Sequence, residues 1–426
     1  MQPKIYIASE HGIDRDLIDS DALFVLNKLR EAGFVAYLVG GSVRDLLIKR
    51  KPKDYDISTS AQPEQIKRLF HRSCLLIGRR FRLAHIRFGK KIIEVATFRS
   101  GDNESDLIIH DNQWGSPEED VLRRDFTING LCYDAATDTV IDYVGGWEDI
   151  RKGILRTIGH PVVRFKQDPV RMIRLLKFRA RFGFDIDPIT ISALIECRME
   201  LVKSSPARIL EEFFRMLESG ASSPFFRLMT EYGFLEMLFP VLTEFLKSEH
   251  GDEIHEFLLG ADRINQHFGP AALERPVLAA CLLFPIVERE MKSQYIDQNL
   301  TPHMGEIMML TSSMIKNVVT SSFSHFPRRI SATMGFILST QYRLTPPSGK
   351  RNYRLRLFKH KEFVQALKFL KLRTLVDEEL IEAYTSWKKI YRQHERHGDR
   401  RPHPHHLPVH KSQHHAAKEQ HHAPQS

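Results

Sequence analysis

The chain has 426 residues, enough for two to four compact units, and 42% of them are hydrophobic, enough to fill the cores of those units. Lysine and arginine outnumber aspartate and glutamate by 62 to 53, and a sequence pI near 9.3 favours a polyanionic partner, either nucleic acid or an acidic membrane surface. No stretch approaches the roughly 20 apolar residues that cross a bilayer, MQPKIYIASEHG lacks the order of a signal peptide, and Cys74, Cys132, Cys197 and Cys281 form no CxxC pair. The cysteine spacing argues against a disulfide framework or a zinc knuckle, and a cytosolic protein with buried thiols is expected.

In chain order, DALFVLNKLREAGF (21–34) sets Leu23, Val25, Leu26 and Leu29 at helical spacing, with Gly33 as its stop. VAYLV (35–39) is a short apolar strand, GGS (40–42) a tight turn, and VRDLLI (43–48) the start of a second helix. DYDIS (54–58) reads as a strand. LAHIRFGKKIIEVATF (83–98) reads as a hairpin turning at Gly89-Lys90, with Ile92, Glu94 and Ala96 on one face. Residues 100–120 are acidic and punctuated by Gly and Pro, as expected of a mobile loop. The fold class is therefore α+β: a small mixed-sheet head over 21–157, followed by helices. VRMIRLLKFRARFGF, ARILEEFFRMLESG and FFRLMTEYGFLEMLF carry the helical pattern onward through a neck (158–220), a body (221–320) and a C-terminal helical region (321–390). From 391 to 426 the composition collapses into Arg, Gln, Pro and His, and 10 of the 21 histidines lie at or after His394. Such a segment buries too little apolar surface to offset its chain entropy, so a disordered tail is predicted.

The chemistry concentrates in the head. Gly40-Gly41-Ser42 at a strand end lets backbone N–H groups approach phosphate oxygens closely, and the N-terminus of the following helix adds a favourable dipole. Asp54 and Asp56 stand two residues apart on a strand and so share a face. Adjacent carboxylates repel unless cations neutralise them. Mg²⁺ takes carboxylate and phosphate oxygens, and two such ions roughly 4 Å apart activate an attacking hydroxyl while neutralising a leaving pyrophosphate. Glu94 interrupts the aliphatic run Ile92-Ile93-Glu94-Val95-Ala96. It is either the third carboxylate, which positions and deprotonates a 3′ hydroxyl, or one half of an edge ion pair.

The run LVGGSVRDLLIKRKPKDYDIS, with RRDFTING (123–130), resembles the head of the class II tRNA nucleotidyltransferase and bacterial poly(A) polymerase I family. The resemblance implies a polymerase beta-like head that takes ATP as substrate. Gly40, Gly41, Ser42 and Arg44 would serve the triphosphate, and Asp54 and Asp56 would bind two Mg²⁺ ions, with Mn²⁺ as the alternative. Arg123, Arg124 and Asp125 would contact sugar and phosphates, with Asn129 in support; paired guanidinium forks suit phosphate, and an aspartate can accept a ribose hydroxyl. Asp142 with Gly145-Gly146-Trp147-Glu148-Asp149 is similar to the family's link between head and neck, where flexible glycines let the parts shift. FKQDPVRMIRLLKFRARFGF (165–184) looks like the motif that reads the incoming base. Its readers would be Asp168 and Arg171, three residues apart on one helix face, with Arg174 extending the row. Gln167 departs from the family's glutamate. Arg208 and Glu211 of ARILEEF (207–213) would orient these groups.

LLIGRRFRLAH (75–85) is similar to the segment that marks the bacterial poly(A) polymerases, and its Arg79, Arg80 and Arg82 suit a grip on nucleotides or RNA. Residues 327–344 and 349–363 resemble an RNA-binding end in which Tyr353, Phe358 and Phe363, set among Lys and Arg, would stack on bases. The implied enzyme is a monomer that adds adenylate to the 3′ ends of mRNA and other RNAs, releases pyrophosphate and promotes RNA turnover. The alternatives are a CCA-adding enzyme using CTP and ATP on tRNA, and an RNA-binding protein whose head has lost activity.

Overall fold

The head is built on short strands: β1 (Lys4–Ile7), β2 (Ala36–Val39), β3 (Asp56–Thr59), β4 (Cys74–Ile77), β5 (Leu83–Phe88), β6 (Lys91–Thr97), β7 (Leu131–Asp134) and β8 (Thr139–Asp142), of which β5 and β6 alternate buried and open side chains while β2, β7 and β8 are buried along most of their length. In the computed structural model, which describes residues 2–78, 83–100, 114–269, 272–320, 323, 326–346 and 355–398, they form one mixed sheet in the order β1-β8-β7-β2-β3-β6-β5-β4. Neighbours run antiparallel except β3 and β6, which are parallel and align Asp56 with Glu94 and Ile57 with Val95. Ile57 and Val95 are fully buried, so the opposite face carries the two acids into the open. The helix Ser20–Glu31 covers the apolar side with Ala22, Val25, Leu26 and Leu29, and Gly33 at φ +83° ends it as expected.

The head differs from its sequence reading in four places. The helix after the glycine turn begins at Gly41 rather than Val43. Strand β3 starts at Asp56, leaving Asp54 just before it. Strand β1 adds an edge to the sheet, so the head begins well before residue 21; a four-residue strand with Ile5 and Ile7 exposed carries little periodic signal. Of the loop read over 100–120, residues 101–113 lie outside the described residues, and Pro117–Leu122 is a helix. Ser116 caps it, its Oγ accepting from Glu119 N at 3.2 Å, and Glu118, Glu119 and Asp120 favour the positive end of its dipole.

The helical remainder starts with Pro161–Gln167 and Val170–Phe182, tied to the head by a two-residue parallel pairing of β9 (Ile154–Leu155) with β10 (Asp185–Ile186). One continuous apolar cluster runs from the head through Phe213, Phe226 and Phe239 of the neck and body to Phe369. A second cluster gathers Leu344, Phe358, Phe363 and Trp387. Phe363 is wholly buried there and Phe358 nearly so, so neither presents a ring for base stacking, and Tyr353 lies outside the described residues. The last helix, Ile381–Gly398, passes through the expected start of the tail at 391, with the Tyr391 ring 5.3 Å from that of Phe363. The rest of the tail is outside the described residues. Among the described residues no helix is long and apolar enough to cross a membrane, and all four cysteines are buried and unpaired.

Candidate active site

The glycine turn is shaped by two constraints. Gly40 has φ +69°, and a Cβ there would lie 2.8 Å from Arg124 Nη1. The guanidinium of Arg124 therefore lies directly over the turn. Arg124 Nη2 donates to Asp120 Oδ2 at 3.0 Å and reaches Ser58 Oγ at 3.4 Å, so the helix Pro117–Leu122 and strand β3 together aim it. Ser42 is buried, its Oγ donating to Val39 O at 2.9 Å.

Three carboxylates line the edge beside this turn. Tyr55 turns inward, its hydroxyl bonded to Leu17 O, which leaves Asp54 and Asp56 on the same outer side although only Asp56 belongs to β3. Asp56 is open to solvent along part of its surface, yet its carboxyl pKa is pushed up to about 6. Loss of water is the largest cause; the Glu94 carboxylate adds to it, Arg124 opposes it, and Asp54 raises it further. Glu94 is 47% exposed and has His85 Nε2 at 3.4 Å from its Oε1.

Among the described residues no three potential ligands converge into a ready-made metal cage. The donor set still fits Mg²⁺, which binds through one or two carboxylates and takes its remaining ligands from water and substrate phosphates. Loss of water first, and the neighbouring Glu94 carboxylate second, disfavour the charged form of Asp56, and a bound cation would offset both.

Several residues expected as nucleotide contacts have partners within the protein. Arg44 is buried, donates to Asp45 Oδ1 at 2.7 and 2.9 Å and to Asn129 Oδ1 at 2.6 Å, and lies over the rings of Phe178 and Phe182. It joins the glycine-turn helix to the neck. Asp125 is also buried and accepts from Asn129 Nδ2 at 3.0 Å and Phe126 N at 2.9 Å, while Arg174 Nη2 pairs with it at 2.8 Å. Burial works to raise the Asp125 pKa, but Arg174, the Asn129 amide and Arg171 outweigh it and hold the carboxyl below its ordinary value. Asp125 and Arg174 thus form a charged rivet between head and neck. Arg123 bonds through its guanidinium to Ser100 O, and its carbonyl accepts from Arg171 Nη2 at 3.3 Å.

Asp168 and Arg171 come together, though by a different route from the one expected. Asp168, at φ −145° and ψ 87°, breaks the chain between the helices Pro161–Gln167 and Val170–Phe182, and Arg171 lies in the first turn of the second. They meet across a helix junction instead of along one helix face. Arg208 Nη2 holds Asp168 Oδ2 at 2.9 Å. Asp168 Oδ1 and Arg171 Nη1 are buried without a protein partner, leaving an acceptor and a donor available for a ligand. Glu211 bonds to Arg275 at 2.9 and 3.0 Å, which ties neck to body. Arg79, Arg80 and Arg82 lie outside the described residues.

The expected flexible link is a tight turn. Asp142 accepts from the N–H groups of Val144, Gly145, Gly146 and Trp147 at 2.8 to 3.1 Å, and a Cβ on Gly146 would lie 2.1 Å from Thr127 O. Sequence reasoning missed His85, Ser58, Asp120 and Arg164. Arg164 Nη2 binds the carbonyls of Arg123 and Arg124 at 2.7 Å each, and burial drops its pKa to about 10. Only the strand position of His85, opposite Glu94, could have signalled any of them.

Three family models match in succession: a poly A polymerase head domain over residues 36–156, a probable RNA and SrmB-binding site of polymerase A over 183–246, and the arginine-rich C-terminus of polymerase A over 289–423. The chain is 38% identical over 388 residues to poly(A) polymerase I of Escherichia coli O6:H1, covering 86% of this chain and 81% of that one. It is 40% identical over 209 residues to a CCA-adding enzyme of Streptococcus gordonii, covering 49% and 51%. Among solved structures it resembles the Bacillus stearothermophilus CCA-adding enzyme in complex with CTP, with a TM-score of 0.56, 25% identity and coverage of 86% and 82%.

Proposed function

The chain belongs to the bacterial poly(A) polymerase I family of nucleotidyltransferases, and from that premise we propose that it adds adenylate from ATP to RNA 3′ ends without a template, releasing pyrophosphate. The observation that carries the reading is the register of Asp56 with Glu94 beside the Gly40 turn, which gathers acids and phosphate-binding groups at one sheet edge. The N–H groups of the turn and helix Gly41–Leu47 cradle the triphosphate, and Arg124 supplies a fixed positive charge over it. Glu94 accepts the hydrogen bond of the RNA 3′ hydroxyl and orients it for in-line attack on the α-phosphorus. Asp54 and Asp56 would hold Mg²⁺, with Mn²⁺ as the alternative; bound there, the ions lower the hydroxyl's pKa and neutralise the leaving pyrophosphate.

Asp168 Oδ1 and Arg171 Nη1 pair with an amine next to a ring nitrogen. Adenine and cytosine both present that edge, and guanine and uracil present the reverse, so the pair rejects GTP and UTP. The preference for ATP over CTP rests on the likeness to poly(A) polymerases over most of the chain. The RNA is mRNA and other transcripts, whose turnover the tail promotes, and the enzyme works as a cytoplasmic monomer. Replacing Asp56→Ala should abolish addition while RNA binding persists; preserved addition would sink the assignment of the metal-binding pair.

A further inference from the structure

Strands β5 and β6 pair so that His85 stands opposite Glu94, and Glu94 stands opposite Asp56 on β3. His85, Glu94 and Asp56 therefore form one row across three strands on a single face of the sheet. The flanking residues Ala84 and Ile86 of β5 are fully buried on the other face. A slip of one residue would bury the imidazole and expose those side chains, so the placement of His85 is locked by the same apolar packing that holds the sheet.

Glu94 needs such a neighbour. It is a long, half-exposed side chain, and an unrestrained carboxylate spreads over several rotamers, only some of which face the reacting hydroxyl. His85 has fewer rotatable bonds, its side chain is only 17% exposed, and its Nε2 is 3.4 Å from Glu94 Oε1. Catalytic hydrogen bonds are often this long before substrate arrives and shorten when it does. We infer that His85 is a positioning residue: its Nε2–H holds Oε1 of Glu94 and thereby leaves Oε2 to receive the 3′ hydroxyl. The inference rests on the reading of Glu94 as the catalytic carboxylate. It also gives the segment Leu75–His85 a direct link to the chemistry, because the last residue of that segment is the one that reaches the catalytic edge.

The test compares His85→Ala, His85→Gln and Glu94→Gln in the full chain, measuring kcat and KM for ATP on an oligoadenylate primer, primer affinity and melting temperature. Removing a group that orients a catalytic ligand commonly costs 10- to 100-fold in activity, so His85→Ala should lower kcat by roughly that factor. KM, primer affinity and melting temperature should not change. His85→Gln, whose amide N–H reaches toward the same oxygen, should recover most of the rate. Wild-type kcat in His85→Ala alongside an inactive Glu94→Gln would overturn the role of His85 alone. An active Glu94→Gln would overturn the reading of Glu94 beneath it. A loss in His85→Ala that His85→Gln does not restore, or one accompanied by a lower melting temperature, would assign the imidazole to sheet stability and overturn the inference.

Discussion

Replacing Asp56→Asn should inactivate the enzyme and at the same time stabilise its metal-free form. In the folded protein the Asp56 carboxyl titrates at about 6 against an ordinary 3.8. A shift of that size corresponds to about 3 kcal/mol at 1.36 kcal/mol per unit. Because Asp56 is partly open to solvent, screening reduces this by roughly half, to about 1–2 kcal/mol. Below the unfolded value both states are protonated and nothing is lost; the penalty grows as pH rises toward about 6 and is complete above it. Asparagine keeps the shape without the charge. In EDTA at about pH 8 the variant should therefore melt about 1–2 °C above wild type, the small shift expected of a chain this long, with the advantage fading by about pH 4. Added Mg²⁺ should raise the melting temperature of wild type far more than that of the variant, since only the intact site gains binding energy. An equal or lower melting temperature at high pH, or a gain that ignores pH, would refute the electrostatic reasoning.

Three further substitutions probe the frame around the site. Gly146→Ala places a methyl group 2.1 Å from Thr127 O, and overpacking against rigid backbone should cost about 3 kcal/mol; a change near zero in a denaturant titration would restore the view of this glycine as a hinge. Arg174→Leu removes the paired cation from the buried Asp125 carboxylate and leaves Arg171 and the Asn129 amide to support it, a loss of about 2–3 kcal/mol, below that of a fully unpaired buried charge. Adding Asp125→Asn should recover part of that, as a double-mutant cycle on stability would record. Phe363→Ala empties a wholly buried position and should destabilise the chain by about 3–5 kcal/mol, with RNA affinity of the folded protein unchanged; weaker RNA binding at unaltered stability would instead return this ring to base stacking.

What could be read from sequence was local. Gly40-Gly41 and the Asp-x-Asp spacing declare themselves over a few residues, and Asp54 stays beside Asp56 even though β3 begins later, because Tyr55 points inward. The alignment of Asp56 with Glu94 was not legible. It depends on the parallel pairing of β3 with β6, and β4 and β5 intervene in the chain. Charged residues show their protein partners only through distant contacts: Arg44, expected at the triphosphate, has the rings of Phe178 and Phe182 folded against it. Phe358 and Phe363 sit among basic residues in sequence, and only Trp387 and Tyr391 reveal that they face inward. The helix break, like His85 opposite Glu94, had a visible cue. Pro169 disfavours helical geometry in the residue before it, and the helix breaks at Asp168.

The central claim is that this chain builds adenylate tails on RNA in general. The most direct measurement supplies ATP, CTP, GTP and UTP singly to an unstructured RNA and to a tRNA lacking its terminal CCA. Long extension of both RNAs by ATP, with GTP and UTP refused and no defined C addition to the tRNA, is the predicted result. Addition of two C residues and then a single A to the tRNA, with the unstructured RNA left unextended, would contradict the account.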